Sequence, residues 1–243
     1  MKKFKNSVVN NIKALFWALL IAGLIRSFAI EPFKIPSGSM KPNLLVGDFL
    51  FVSKWDYGYS RYSFPFGLPP FKGKFFASEP ERGDIIVFKF PVNESINYVK
   101  RLVALPGETI KVIDGTIYIK EKNQNEFKKF NQENDGFFFD DQYNTEIPQL
   151  VENGYTILNL TNSGPLDYTP EYIVPEDKYF FMGDNRDNSS DSRVMSGVGF
   201  VPKENIIGNV WFIWFSVDTN FSFTKFWMLP FHIRYDRLFK LVK

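Results

Sequence analysis

The sequence predicts a mainly β protein carried on a single N-terminal transmembrane helix. Three observations predict it. A basic start leads into an apolar run, short β-type runs fill the remainder, and no helical periodicity appears after residue 30. The 243 residues are enough for one large domain or for one domain with an insertion.

Residues 1–13 carry Lys2, Lys3, Lys5 and Lys13 and no acid, and "ALFWALLIAGLIRSFAI" follows at 14–30. Positive charge flanking an apolar segment stays on the cytoplasmic side, so the expected order is a cytoplasmic stretch (1–13), a membrane anchor (14–30) and an extracytoplasmic domain (31–243). Arg26 interrupts the span near its end, where a long side chain reaches the interface. The same region also reads as a cleavable signal peptide, with Ser27-Phe-Ala29 as a small-x-small site.

The β-type runs are "GDFLFVSK" (47–54), "GDIIVFKF" (83–90), "YVKRLVAL" (98–105), "ETIKVIDGTIYIK" (108–120), "KYFFMGD" (178–184) and "NVWFIWFSV" (209–217). They are β-branched or aromatic, and Gly, Pro and Asp separate them. Asp114-Gly115 is a strong hairpin signal. Two stretches break the rhythm. Residues 55–80, rich in aromatics, Pro and Gly, read as a surface loop or an irregular ribbon. Residues 121–152 hold nine Asn or Gln and eight acids against three lysines, which predicts a solvated insertion rather than core. The basic, aromatic tail from 225 reads as a last strand and exposed end, or as a contact for anionic lipid.

Composition narrows the chemistry. With no cysteine and one histidine, His232, thiolate chemistry and multi-histidine metal sites are excluded. A net charge of +2 without a basic stripe argues against nucleic acid as a partner. "IPSGSM" (35–40) offers two serines, and a serine needs a base. His232 stands in the basic tail with only Asp236 nearby, so a Ser-His-Asp triad is disfavoured. Lys100, on an apolar strand with Tyr98 and Leu102 on its face, is the better candidate, because burial disfavours an ammonium. "GDNRDNSSDSR" (183–193) adds hydroxyls and an Asp191/Arg193 pair able to brace a buried polar site.

Together "PSGSMKPNL" (36–44), "GDFLFVSK" (47–54), "KRLVALPGE" (100–108) and "GDNRDNSSDSR" (183–193) resemble the bacterial type I signal peptidases, Ser-Lys proteases that remove signal peptides from exported preproteins. Asn43, where Thr or Ser is usual, and Glu108, where Asp is usual, depart from the pattern. The resemblance implies a β-rich catalytic domain with an inserted second β region at about 121–176. It implies Ser39 as nucleophile, Lys100 as general base, and Ser37 with the Ser39 N–H as the oxyanion hole. Ser189 would orient the lysine, and Asp191, Arg193 and Arg101 would support the site. Ile35, Pro36, Met40, Leu44, Tyr98 and Val99 would line pockets for a small-x-small (Ala-X-Ala-like) sequence. Preproteins and phospholipid membrane are then the partners, no metal or cofactor is needed, and the setting is the bacterial inner membrane with the catalytic domain on the periplasmic side. Whether Ala29 is a point of self-cleavage is left open by the sequence. The competing reading is a binding module of the same fold without turnover. A self-cleaving repressor type is disfavoured by the span and by the lack of a DNA-binding segment.

Overall fold

The computed structural model describes residues 2–64, 71–76, 78–219, 221 and 223–242, with the backbone alone for 2–8 and 223–225. Helix α1 (Lys2–Phe28) contains one stretch long and apolar enough to cross a membrane, Val9–Phe28, with a mean hydropathy of 1.4. At 1.5 Å per residue its 20 residues reach roughly 30 Å, the thickness of a bilayer core. The apolar stretch therefore starts earlier than residue 14, and the helix stops before Ile30. The side chains of Lys2, Lys3 and Lys5 lie outside the described residues, as do 65–70 and 77 of the irregular stretch.

The strands follow in order: β1 (Ile30–Lys34), β2 (Asp48–Ser53), β3 (Ile85–Lys89) and β4 (Asn97–Ala104). Then come β5 (Thr109–Ile113), β6 (Thr116–Lys120), β7 (Lys128–Lys129), β8 (Gln132–Asp140), β9 (Thr145–Glu152) and β10 (Tyr155–Leu158). The last are β11 (Tyr172–Ile173), β12 (Lys178–Met182), β13 (Val201–Pro202), β14 (Ile206–Ser216) and β15 (Lys240–Leu241), with a short helix α2 (Leu229–His232) before β15. The main sheet runs β1-β2-β14-β3-β4-β12-β13, with β15 also on β14. A four-stranded sheet (β11-β5-β6-β7) and a three-stranded one (β10-β9-β8) complete the molecule. Hairpin β5–β6 turns at Asp114-Gly115, both at positive φ, which glycine adopts freely and aspartate tolerates.

Alternation along the strands builds the core. Leu50 and Val52 of β2 face Val210 and Ile213 of β14, with Ile35, Met40 and Leu44 packed on top. The loop that carries Ser39 thus sits directly on buried apolar side chains. The helix is also fastened at its exit. The buried Lys54 ammonium donates to the Arg26 and Ser63 carbonyls (2.9 and 2.8 Å) and pairs with Glu31 at 2.7 Å. The Ala29 carbonyl accepts the Lys54 N–H, and that of Phe28 accepts the Tyr59 hydroxyl. The Ser27-Phe-Ala29 site is therefore built into the fold, and cutting it requires these bonds to open.

The 121–152 insertion is more ordered than its composition suggests. Most of β8 is exposed and β9 is largely half-buried, but Asp140 and Glu152 are fully buried. Each is neutralised by a cation from the segments 36–44 and 183–193, Lys41 for Asp140 and Arg186 for Glu152. Composition averages over these two acids and misses them, because only the fold supplies their partners. The tail is likewise tied down. Arg237 grips Asp48 through two hydrogen bonds (3.0 and 2.6 Å), and β15 pairs with β14.

Candidate active site

Residues 35–47 form an irregular loop between β1 and β2, rooted by Ile35, Met40 and Leu44 in the core. Polar contacts from 183–193 hold its crest. The Ser39 carbonyl accepts the Asn185 N–H (3.1 Å), and the Gly38 carbonyl accepts the Asn185 side-chain amide (3.1 Å). Ser37 Oγ lies 3.4 Å from Ser39 Oγ.

Lys100 approaches from β4. Its Nζ donates to Ser39 Oγ at 2.5 Å and lies over the Tyr98 ring at 5.6 Å, as a shared strand face requires. Lys100 is 4% exposed. Burial drags its pKa down to about 8, although Asp191 and Asp184 pull the other way. About half of the amine is therefore neutral near pH 8, and about a tenth at pH 7. His232 makes no bond to this serine, and its ring packs on Phe221.

The 183–193 segment braces both partners. Asp191 accepts from Arg193 through two side-chain contacts of 2.9 Å and takes the Gly183 N–H at 3.1 Å. Arg193 also donates to the Arg186 carbonyl at 2.6 Å. Asp191 stays ionised, because the guanidinium outweighs the effect of its burial. Gly183 has no room for a side chain: a Cβ would strike Ser189 and come within 2.6 Å of the Ser39 carbonyl oxygen. Ser189 thus lies close to the Ser39 backbone. Its buried Oγ has no hydrogen-bond partner among the described residues, so the bond to Lys100 that the resemblance implies is not formed. Arg101, adjacent to the base, is fully engaged elsewhere, with Asp184 (2.7 and 2.8 Å) and the Gly83 carbonyl (2.6 Å).

A cleft of about 650 Å³ opens at Ser39 and Lys100. Ile35, Pro36, Met40, Tyr98 and Val99 line it, together with Phe33. Leu44 does not: it is wholly buried beneath, packed in the core against the residues that form the cleft floor. Two free backbone edges flank the cleft. β1 ends the main sheet, and β12 joins β4 only from Arg101 onward, leaving Asn97–Lys100 paired on one side alone. Such edges accept an extended peptide as an added strand.

A family model described as signal peptidase, peptidase S26, matches residues 8–215. The chain belongs to this signal peptidase family. A signal peptidase I of Rickettsia akari is 41% identical over 232 residues, covering 89% of this chain and 84% of its own length. That of Rickettsia canadensis is 43% identical over 216 residues, covering 84% and 78%. The crystal structure of a signal peptidase I from Enterococcus faecalis shares 28% identity and aligns with a TM-score of 0.32, covering 55% of this chain and 97% of that one. Membership makes the chain a serine peptidase that processes signal peptides.

Within this signal peptidase frame, sequence reasoning missed the residues that assemble the site. Asn185 is not singled out by the sequence within 183–193, yet it holds the loop that carries Ser39. Asp184 accepts both Arg101 and the Asn43 amide (2.7 Å), so the unusual Asn43 bridges that carboxylate to the Thr156 carbonyl (2.7 Å). Glu108 accepts the Leu105 N–H and pairs with Arg82 at 2.6 Å, closing the turn after the lysine strand. Lys41, two residues from the nucleophile, is bound to Asp140. Most of these pairings carry no sequence signal, since the partners lie far apart in the chain.

Proposed function

We propose that the protein is a membrane-anchored Ser-Lys endopeptidase that cuts exported preproteins after a small-x-small site. The contact between buried Lys100 and Ser39 Oγ carries this reading. Neutral Lys100 takes the Ser39 proton as Oγ bonds to the scissile carbonyl carbon. The carbonyl electron pair moves onto oxygen, which the Ser39 N–H and the Ser37 hydroxyl stabilise. When the carbonyl re-forms, the C–N bond breaks and the leaving amine takes the proton from Lys100. A water molecule, deprotonated in turn by Lys100, then hydrolyses the ester and returns Ser39 to its hydroxyl form. Ser189 packs beside Gly183 without bonding the lysine, while Asp191 and Arg193 keep the surrounding backbone in place.

Specificity follows from the cleft. Ile35, Met40, Tyr98 and Val99 leave shallow apolar space beside the scissile carbonyl, which small side chains fill and large ones do not. Helix α1 spans the inner membrane with its basic end in the cytoplasm, holding the catalytic domain at the periplasmic face. Exposed Trp55, Trp211, Phe226, Trp227 and Phe231 are suited to the lipid interface. Cleavage of a purified preprotein in detergent by wild type, Ser39→Ala and Lys100→Ala tests the proposal. Cutting after the small residue by wild type alone supports it; near-full activity of Lys100→Ala removes the assigned base.

A further inference from the structure

A second cleft, about 490 Å³, meets the first at Pro36, Ser37, Ser39 and Asn188 and then diverges. The first cleft runs along β1 and β4. The second passes Gly38 and ends between Thr219 and the tip of the β8–β9 hairpin, lined by Gln142 and Tyr143. One buried carboxylate joins its two walls. Asp140 binds Lys41 Nζ through both oxygens (2.7 and 2.8 Å) and also accepts the Gln142 N–H (3.0 Å). The hairpin tip and the nucleophile loop are therefore set by the same group.

We propose that this second cleft holds the first residues after the scissile bond, and that the hairpin tip is a specificity element for the leaving half of the substrate. The inference rests on the peptidase reading above. An extended chain whose scissile carbonyl lies at Ser39 enters by the edge-strand cleft and must leave by another path, and the second cleft begins at that serine. Its walls are uncharged hydrogen-bonding groups, the side chains of Gln142, Asn188 and Thr219, with the Tyr143 ring beside them. Such walls recognise an extended polypeptide backbone rather than a particular charge. Asp140 and Lys41 act as positioning residues for the tip.

The test compares two substrates with the same small-x-small segment, using the full chain in detergent. One continues for several residues past the scissile bond, and the other ends there in an aryl amide. The ratio of their kcat/KM values is the readout. Wild type is expected to favour the extended substrate. Gln142→Ala/Tyr143→Ala, altered only at exposed positions, is expected to lower that ratio about tenfold, chiefly through KM, a change equivalent to about 1.4 kcal/mol. Asp140→Asn is expected to shift the ratio in the same direction. A ratio that does not change, or a wild type without preference, overturns the proposal. A wild type that cuts neither substrate overturns the peptidase reading instead, and this inference with it.

Discussion

Lys100 Nζ stands 2.5 Å from Ser39 Oγ, although the two residues are 61 positions apart in the chain. Ser39 is held on an irregular loop over the core, and Lys100 on a strand whose neighbours leave it almost no solvent. The geometry makes one amine both the serine's partner and a group poised to lose its proton.

The acid limb of the kcat/KM profile is expected to follow that amine. Its pKa is lowered to about 8, and only the neutral form accepts a proton. Activity is therefore expected to rise with pH and to level off above about 8. A profile already flat from pH 6 upward contradicts Lys100 as the base.

Lys100→Met is expected to be inactive but more stable. The folded-state pKa lies below the ordinary 10.5, so holding this lysine costs nothing when it is neutral in both states above pH 10.5. The penalty grows as pH falls and is complete below about 8, at up to about 3 kcal/mol. Denaturant unfolding at pH 7 and pH 10 checks the sign, since the gain from the substitution should shrink at the higher pH.

On the proposed mechanism, Ser37→Ala removes one donor from the oxyanion and leaves Ser39 and Lys100 in place. A fall in kcat of roughly 10²–10³ with a smaller change in KM is expected from steady-state kinetics. An equal loss in binding of an uncleavable peptide places Ser37 in substrate binding instead.

Gly183→Ala tests the packing behind the nucleophile. The added methyl overlaps Ser189 and the Ser39 carbonyl, so one of them has to move. Displacement of a reacting group by about 1 Å costs on the order of 10²-fold in rate, and circular dichroism should still report a folded chain. Wild-type turnover would show that the loop relaxes without cost.

Buried and exposed ion pairs are expected to separate cleanly in unfolding experiments. Asp184→Ala leaves buried Arg101 without its carboxylate and is expected to cost about 3–5 kcal/mol. Lys122→Ala breaks a pair to Glu176 in which both side chains are more than half exposed, and is expected to cost less than about 1 kcal/mol.

Much was determined by the sequence alone. Local pattern announced the apolar helix, seven of the fifteen described strands (β2 to β6, β12 and β14) and the Asp114-Gly115 turn, because hydrophobic periodicity and turn chemistry act over a few residues. The absence of cysteine and the single histidine narrowed the serine's candidate bases, and the family resemblance pointed to Lys100 among them. What only the tertiary structure decided concerns partners. Leu44 went to the core, not the cleft, because the loop's apolar side chains divide between floor and foundation according to what packs above them. Asp140 and Glu152 looked like solvated charge until the fold brought Lys41 and Arg186 to them. Asn185 was one polar residue among many until the fold brought its amide to the Gly38 carbonyl. Burial and pairing across the chain depend on which surfaces meet, and a run of residues records that only after it has folded.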